Sequence, residues 1–581
     1  MKKSILILLF SLLVLPLSYA QVTTSQLSGL VVETPSQQPV PGVTVLAVHE
    51  PTGTHYYSIS SSNGHYSISG MRSGGPYRVV FSTSGYAEVE FKGLTLVLGE
   101  NTRLDALLSQ SELDAASIME QADKLHLART GSAVNFTRKQ MDNMPTIERS
   151  ITDMIRYSPY ANGMSIAGGD GRMTNFTVDA ANFNNNYGLS ANLPGGGNPI
   201  SMEAIDEIQL VVSPYDVRQT NFIGGGINAV TKTGSNTFQG TAYTYFTNQS
   251  MRGNIVAGMD LGERKPEYGW VWGATIGGPI VKDKLFFFLN YEQENKPKQV
   301  ISYRARNDGE EAGGNISRTL LSDMQRVSDF LKNDYGYDPG SATDFPGDNV
   351  NRKALVRLDW NINEQHRLAL RYNYTFDKAW NGPSDNSVTI SPRFRGTYRI
   401  GPQSMAFANN MYSYNCEVHS AVLDFNSYLA DGLTNQLIAT FTSNREYRDS
   451  RSTPFPHVDV MYNGAFEPYM SMGYELYSGC TDLRNMVAGI KDELTFSIAD
   501  HSFMAGLSYE YQTVGNLYMP NAMMYYRYKS VDDLVNKAIP EAFTLSYGFD
   551  GVEKPYNEIG YHQIAFYLQD EWQVTPKFEL T

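Results

Sequence analysis

Residues 356–362 of the chain read Val-Arg-Leu-Asp-Trp-Asn-Ile, and residues 368–374 read Leu-Ala-Leu-Arg-Tyr-Asn-Tyr. Apolar or aromatic side chains occupy every second position in both runs. Because successive side chains of a β-strand point to opposite faces, each run predicts a strand with two different faces. The same period returns in residues 502–511 and 564–569. Such alternation is typical of soluble sandwiches as well as of membrane barrels.

The lengths of the connections separate these two alternatives. Short links are predicted near residues 279–284, 361–366, 430–435, 499–502 and 575–577. Long links are predicted near residues 249–267, 293–350, 377–412, 447–485 and 513–560. Short periplasmic turns that alternate with long extracellular loops are typical of outer-membrane β-barrels. The longest loop has apolar residues at helical spacing and is expected to fold as a cap; they are Leu320, Leu321, Met324, Val327 and Leu331.

The start of the chain indicates export. Lys2 and Lys3 precede an apolar run over residues 5–15, and Ser18 and Ala20 supply the small residues of a signal-peptidase site. A membrane anchor is the alternative, but the run is shorter than the roughly 20 apolar residues that a spanning helix needs. We therefore predict a signal peptide over residues 1–20, with cleavage between Ala20 and Gln21.

The composition excludes several classes of protein. A mean hydropathy of -0.33 does not suit a helical membrane protein. The 38 Tyr, 27 Phe and 50 Gly instead suit many strands joined by turns, with aromatic residues for interfacial girdles. A net charge of -14 argues against nucleic acid as a partner. Because the chain has no nucleophile elbow, phosphate loop or metal-ligand spacing, we predict no catalytic residue, no metal site and no cofactor.

Two cysteines in so long an exported chain exclude a scaffold built on disulfides. Cys416 and Cys480 both fall toward the predicted outer rim of the barrel. Whether a disulfide joins the two cysteines therefore stays open at this stage.

The first folded unit is predicted over residues 21–108. Its short alternating strands are separated by turn residues, as in Pro41-Gly42, and the stretch 63–68 reads Asn-Gly-His-Tyr-Ser-Ile. With residues 77–81 and 85–86, this pattern resembles the carboxypeptidase regulatory-like domain, which implies an Ig/transthyretin-like β-sandwich. The histidines of the unit lack metal-ligand spacing, so peptidase chemistry is not expected.

The second unit is predicted over residues 131–234. A short amphipathic helix is expected near residues 150–157, with Ile151, Met154 and Ile155 on one face. Strand-like stretches and a glycine run follow, and their order resembles the plug of TonB-dependent receptors, a small α+β domain that packs inside a barrel. The motif that carries this resemblance comprises Gly224, Gly225, Gly226, Ile227, Asn228, Thr231 and Lys232.

A narrower resemblance concerns the start of the barrel. Residues 272–288 are similar to the first barrel hairpin of the Oar-like subgroup of these receptors, and residues 213–218 support the same subgroup. The SusC/RagA-like importers share the domain order but usually have a more Val-rich TonB box. Plugged transporters have about 22 strands, and residues 235–581 supply about ten. We therefore expect a mainly β protein whose transmembrane antiparallel barrel is completed by further sequence.

The resemblance implies a TonB-dependent transporter in the outer membrane of a Gram-negative bacterium. Its expected partners are TonB with the inner-membrane energising complex and outer-membrane lipid, and a surface lipoprotein partner stays open. A surface adhesin or structural protein of the Oar-like type is the alternative. The segment that contacts TonB is expected in a linker over residues 109–130, at Leu113, Asp114, Ala115, Ala116, Ser117 and Ile118.

An Asn-rich loop of the plug is predicted to face the substrate, and a solvated turn is the alternative reading. Its members are Asp179, Asn182, Asn184, Asn185, Asn186 and Tyr187. Asp179-Ala180 stands where many relatives have Asp-Gly.

Overall fold

The computed structural model describes most of the chain from residue 22 to residue 581. It leaves out residues 1–21, 111–117, 122–125, 129–130, 147–148, 186, 188–192, 215, 220–221, 261–266, 386–398, 465–466, 499 and 576–577. The predicted signal peptide, with Ala20 and Gln21, therefore lies outside the described residues. Among the described residues, no helix is both long and apolar enough to cross a membrane.

The N-terminal unit is a sandwich of two five-stranded sheets. Its strands are β1 (Ser25–Thr34), β2 (Thr44–His49), β3 (Thr54–Ile59), β4 (His65–Met71), β5 (Gly74–Ser82), β6 (Val89–Leu96), β7 (Asn101–Arg103), β8 (Ala106–Ser109), β9 (Ile118–Gln121) and β10 (His126–Ala128). One sheet has the order β3-β2-β5-β6-β9, and in the other β1 pairs with β4, β7 and β8 while β10 pairs with β7. Alternate apolar side chains, including Leu27, Val45, Tyr77 and Phe81, fill the space between the sheets.

The region predicted as a linker contributes two strands to this sandwich. β9 pairs in parallel with β6, and β10 pairs antiparallel with β7. The segment is therefore joined to the sandwich at two places.

The second unit is a small α+β domain. It comprises β11 (Gly131–Thr137), α1 (Arg138–Asn143), α2 (Ile151–Ile155), β12 (Ala161–Asn162), β13 (Ser165–Ile166), β14 (Asn175–Val178), β15 (Ala181–Asn182), β16 (Ile205–Pro214) and β17 (Gly226–Thr231). Its main sheet has the order β11-β16-β17-β14-β15. Helix α2 begins after Ser150, whose hydroxyl accepts a hydrogen bond from the backbone N–H of Asp153. Ile151, Met154 and Ile155 are buried together, as the sequence predicts.

The remaining described residues form a large sheet and the loops at its upper end. The strands are β18 (Gln239–Asn248), β19 (Ile255–Val256), β20 (Met259–Asp260), β21 (Tyr268–Val281), β22 (Leu285–Gln299), β23 (Arg304–Arg306), β24 (Ile316–Leu320), β25 (Pro346–Asn361), β26 (His366–Asn381), β27 (Met405–Ala406), β28 (Tyr412–Ala430), β29 (Leu433–Ser450), β30 (His457–Met461), β31 (Pro468–Met472), β32 (Thr481–Ile498), β33 (His501–Tyr518), β34 (Tyr525–Tyr528), β35 (Ala542–Thr544), β36 (Asn557–Thr575) and β37 (Phe578–Leu580). The helices are α3 (Leu321–Tyr335) and α4 (Val531–Val535).

Eleven antiparallel strands form the barrel wall, in the order β18-β21-β22-β25-β26-β28-β29-β32-β33-β36-β37. The predicted alternation is confirmed. Val356, Leu358 and Trp360 are 43%, 37% and 45% exposed on the outer face, while Asp359 is 2% exposed on the inner face. An apolar outer face and a polar inner face suit a wall with lipid on one side and an aqueous lumen on the other. The small α+β domain packs against the inner face.

The predicted short turns near residues 279–284, 361–366 and 430–435 are confirmed, whereas those near 499–502 and 575–577 include residues outside the described part of the chain. The strands extend further into the long connections than the sequence pattern indicates. β22 continues to Gln299 and β25 begins at Pro346. The four longest connections pack together through an apolar core, to which each contributes; Met324, Phe407, Val460 and Leu534 are examples. With α3 and the sheet β27-β31-β30-β34-β35, these loops form the expected cap.

The two cysteines are free thiols, and both are buried. Cys416 on β28 lies opposite Glu446 on β29, which in turn lies opposite Leu483 on β32. Because neighbouring strands lie about 4.8 Å apart, β28 and β32 are about 10 Å apart, beyond the ~7 Å that a disulfide can bridge. The disulfide left open by the sequence is therefore not formed.

The glycine run of the plug is explained by close backbone packing. Gly224 has φ +99°, and a Cβ at this position would overlap the carbonyl oxygen of Ile166 on β13. At Gly225 a Cβ would press on the Ile166 side chain and would lie 2.8 Å from the carbonyl oxygen of Val211. The run thus lets β17 enter the sheet directly beside β13.

We expect Gly224→Ala to destabilise the plug by about 2 to 4 kcal/mol, because it adds overlap to an unfavourable positive φ. The measurement is the urea concentration at which the plug becomes sensitive to protease. Gly163→Ala is the matched control, because Gly163 has φ +59° but no atom within 4 Å of the added Cβ. Equal urea midpoints for the two variants would contradict the packing argument.

Candidate functional site

The plug is fixed to the barrel wall by a buried cluster around Glu292, which lies on the inner face of β22. The carboxylate of Glu292 accepts hydrogen bonds from Tyr243 Oη at 2.7 Å, Ser201 Oγ at 3.0 Å and Lys353 Nζ at 3.1 Å. The guanidinium of Arg149 lies 3.3 Å from the same carboxylate. Because Ser201 and Arg149 belong to the plug and the other three residues belong to the wall, this cluster joins the two units.

Arg149 makes further contacts that hold it in this place. Its guanidinium lies 3.1 Å from Glu203 of the plug. It also lies 4.8 Å from the ring centroid of Tyr243 and 4.2 Å from that of Tyr245 on the wall. Cations are favoured over aromatic faces at such distances. One plug side chain therefore connects an acid of the plug to an acid and two aromatic rings of the wall.

A second cluster surrounds Asp179, in the two-residue turn between β14 and β15. Its carboxylate accepts hydrogen bonds from the Thr231 backbone N–H at 2.9 Å and from Thr231 Oγ1 at 2.6 Å. Arg357 and Arg371 of the wall each lie 3.5 Å from it. Both turn residues have positive φ, 46° at Asp179 and 66° at Ala180, which explains why glycine suits the second position.

The Asn-rich loop is also largely bound inside the protein. Asn184 is buried; its Oδ1 accepts from the Phe176 N–H at 2.6 Å and its Nδ2 donates to Asn175 Oδ1 at 2.7 Å. Asn185 Nδ2 donates to Glu446 of the wall at 2.9 Å. Asn182 Oδ1 accepts from the backbone N–H of Asn184 at 2.8 Å.

The prediction that Asp179 and Asn184 present their side chains at a plug surface is therefore wrong, because their polar atoms are used in packing. Tyr187 is 47% exposed and stays a candidate for substrate contact. Asn186 lies outside the described residues.

The plug motif lies in the core of the plug rather than at a surface. Asn228 accepts a hydrogen bond from Thr177 Oγ1 at 2.9 Å and donates to Gln219 Oε1 at 2.9 Å. Ile227 is fully buried, and Lys232 Nζ lies 3.8 Å from Glu203. The motif thus builds the strand that carries Thr231 to Asp179.

Of the predicted TonB-contact residues, Leu113, Asp114, Ala115, Ala116 and Ser117 lie outside the described part of the chain. Ile118 is the first residue of β9.

The sandwich contacts the plug through Glu207 of β16. Its two carboxylate oxygens accept from the backbone N–H of Leu98 at 3.1 and 3.2 Å, and one also accepts from Asn135 Nδ2 at 3.0 Å. Gln209 Nε2 donates to the Leu98 carbonyl at 2.7 Å. Burial raises the pKa of Glu207 to about 7, against the opposing effect of the hydrogen bonds from Asn135 and Leu98.

The sandwich also contacts the lower rim of the barrel, which the sequence analysis missed. Arg72 Nη2 lies 2.8 Å from Asp359 of the wall, and Arg72 Nη1 donates to Thr233 Oγ1, just after the plug, at 3.0 Å. Arg72 stands in an ordinary turn between β4 and β5. Its local sequence gives no signal for a contact with the barrel.

Comparisons with known proteins agree with this architecture. Residues 26–109 match the family model of the carboxypeptidase regulatory-like domain, and residues 230–354 and 331–581 match that of the outer membrane beta barrel domain. The TonB-dependent transporter Oar of Myxococcus xanthus is 23% identical over 387 residues, which is 62% of this chain and 34% of that protein. The chain thus spans about a third of the length of this relative.

Among solved structures, the outer membrane transporter YddB of Escherichia coli has the same fold. It superposes with a TM-score of 0.51 and 13% sequence identity, over 76% of this chain and 55% of that one.

We expect Glu292→Gln to weaken the attachment of the plug by about 3 to 5 kcal/mol, because Lys353 would keep a buried charge without its carboxylate and Arg149 would keep only Glu203. The measurement is again the urea concentration at which the plug becomes sensitive to protease. Glu294→Gln on the same strand is the matched control. Its partner Lys296 is half exposed, so loss of the Glu294–Lys296 ion pair should cost less than about 1 kcal/mol. If both variants have the midpoint of the parent protein, the Glu292 cluster does not hold the plug.

The contact between sandwich and plug should depend on pH through Glu207. The docked state raises the pKa of this carboxyl from 4.5 to about 7, so it binds the proton more tightly than an undocked state does. Docking should therefore strengthen as the pH falls from about 8 to about 5. Glu207→Gln should strengthen docking at the higher pH and flatten this dependence. The rate at which protease separates the sandwich from the plug measures both effects, and equal rates for the parent protein at the two pH values would refute the assignment.

Proposed function

Because the chain belongs to the outer membrane beta barrel domain family, we propose that it acts as a TonB-dependent transporter that takes up a substrate through this barrel. The barrel lies in the outer membrane and has apolar side chains on its lipid face. In this proposal the plug is the gate. Substrate passes only when part of the plug rearranges.

The observation that carries the proposal is a set of polar contacts between plug and wall, which lies beside an apolar contact that includes Phe288, Leu355 and Val418 of the wall. Besides the Glu292 and Asp179 clusters, Asn351 Nδ2 donates to the Gly195 carbonyl at 3.0 Å and Thr375 Oγ1 donates to the Pro199 carbonyl at 2.6 Å. Water can replace such hydrogen bonds at modest net cost, so this polar part of the interface can open. A plug held this way is stable at rest and can still be moved by force.

The force is proposed to come from TonB and the inner-membrane energising complex. TonB would pair with the segment over residues 113–118, by addition of a β-strand. The segment follows directly on the sandwich strand β8. A pull on it would reach both the sandwich and the plug.

On the outer side, the cap and Tyr187 are the proposed region of first contact with substrate. The four loops of the cap are tied to one another through Arg318 and Arg326 of the longest loop. Arg318 lies 2.6 Å from Glu467 and donates to the Gln403 carbonyl at 2.9 Å, and Arg326 lies 2.6 Å from Asp532. A surface lipoprotein is a partner that such a rigid surface suits. The same rigidity favours the second candidate, a surface adhesin, because binding to a cell-surface partner needs neither plug motion nor TonB.

Deletion of residues 109–118 tests the proposal. The parent protein should retain a purified periplasmic domain of TonB in a pull-down assay, and the deletion variant should not, because the strand that TonB pairs with is gone. Replacement of residues 122–125 by a Gly-Ser linker of equal length is the control and should leave binding intact. Undiminished TonB binding by the deletion variant would refute the assigned segment. Absence of binding by the parent protein would favour the adhesin.

A further inference from the structure

A chamber of about 840 Å³ lies at the periplasmic end of the lumen, between the sandwich, the end of the plug and the inner barrel wall. Its lining includes Arg72 of the sandwich, Lys232 of the plug, and Thr241, Arg357 and Ala369 of the wall. The chamber thus lies where a solute that has passed the plug would arrive.

The lining is polar, and most of its charged side chains are ion-paired. Five cationic and three acidic side chains line the chamber; they are Arg72, Arg138, Lys232, Arg357, Arg367, Asp206, Asp359 and Asp424. His49 also borders it but adds no charge, because burial lowers its pKa to about 3. Arg72 and Arg357 are paired with Asp359. Arg138 and Lys232 are paired with Glu203 of the plug. A chamber lined in this way favours a hydrophilic solute over an apolar one.

The sandwich covers this chamber through several contacts with the lower rim of the barrel. Arg72 connects Asp359 to Thr233, as described above. Asn361 Nδ2 donates to Thr54 Oγ1 at 3.1 Å. Arg367 lies 4.0 Å from the ring centroid of Tyr56, and its guanidinium also donates to the carbonyl of His55.

Two further contacts widen the area that the sandwich covers. The backbone N–H of Asn236, just before β18, donates to the Pro51 carbonyl at 2.7 Å. On β29, Gln436 Nε2 donates to Thr23 Oγ1 at 3.0 Å. The contacts therefore extend across the rim from the first barrel strand to β29, on the same side as the chamber.

We propose that the chamber is a transit site for a hydrophilic solute and that the docked sandwich closes it toward the periplasm. The inference rests on the proposed transport function and adds a second closure beyond the plug. Arg72 links the two parts that close the pathway, the plug and the docked sandwich. It binds both the wall and the segment directly after β17, so a shift of that segment would break one of its contacts and loosen the sandwich.

The test uses a reporter thiol in the chamber. Ala369→Cys places it on the inner face of β26, where Ala369 has no side-chain hydrogen bond to lose. Its reaction rate is measured in the whole protein in outer-membrane vesicles with a sulfonated, anionic methanethiosulfonate and with a trimethylammonium, cationic one. Ser84→Cys, on the exposed surface of the sandwich, is the reference thiol. The parent protein, with buried Cys416 and Cys480, gives the background.

One result is expected for the closed transit site. Both reagents should react more slowly at position 369 than at position 84. Equal rates at the two positions would overturn the closure.

The closure is tested by adding Arg72→Gln to the reporter variant. It should raise both rates at position 369 by about tenfold, because the sandwich loses its charged contact with Asp359. Arg78→Gln, which removes an exposed pair with Glu90 on the sandwich, should leave the rates unchanged. Arg367→Gln is a second variant and should act in the same direction as Arg72→Gln. If neither Arg72→Gln nor Arg367→Gln changes the rates, the sandwich does not close the chamber. The labelling needs neither substrate nor TonB, so this outcome is distinct from a failure of transport.

Discussion

Every backbone amide and carbonyl that faces lipid must find its hydrogen bond inside the protein, because hydrocarbon offers none. The long antiparallel strands meet this constraint by pairing with their neighbours over 10 or more residue pairs, as β25 and β26 do. The same pairing fixes which side chains face inward. The outer face must then be apolar, so the polar residues of each strand are concentrated on the lumen side.

That distribution determines how the plug is held. A wall that presents Glu292, Arg357 and Arg371 inward can only be matched by polar groups of the plug, and the two clusters around Glu292 and Asp179 show this matching. Buried charges without partners are expensive, which makes the resting position well defined. The polar contacts can be exchanged for water once force is applied, and the apolar contact around Leu355 and Val418 adds to the stability of the resting state. The polar contacts therefore both fix the resting position of the plug and allow the plug to move.

Sequence predicted the parts of the fold that depend on local pattern. Residues 356–362 and 368–374 alternate because one face meets lipid, and the short turns and helix α3 follow from equally local signals. The strands were predicted too short at their outer ends, since a strand beyond the membrane has no lipid face and loses its alternation. Contacts between distant segments escaped prediction. Arg72 lies in a turn with no distinctive sequence pattern, and the sequence around Asp179 is also typical of a solvated turn. The separation of Cys416 from Cys480 depends on strand register.

The shared core of the cap has a consequence for variation among relatives. Met324, Phe407, Val460 and Leu534 come from four different connections but pack in one interior. A change in one loop must be compensated in the others, because a cavity or an overfilled core costs several kcal/mol. We therefore expect the sequences of the four loops to vary together among relatives. Exchange of a single loop between homologues should yield a misfolded surface rather than a new specificity.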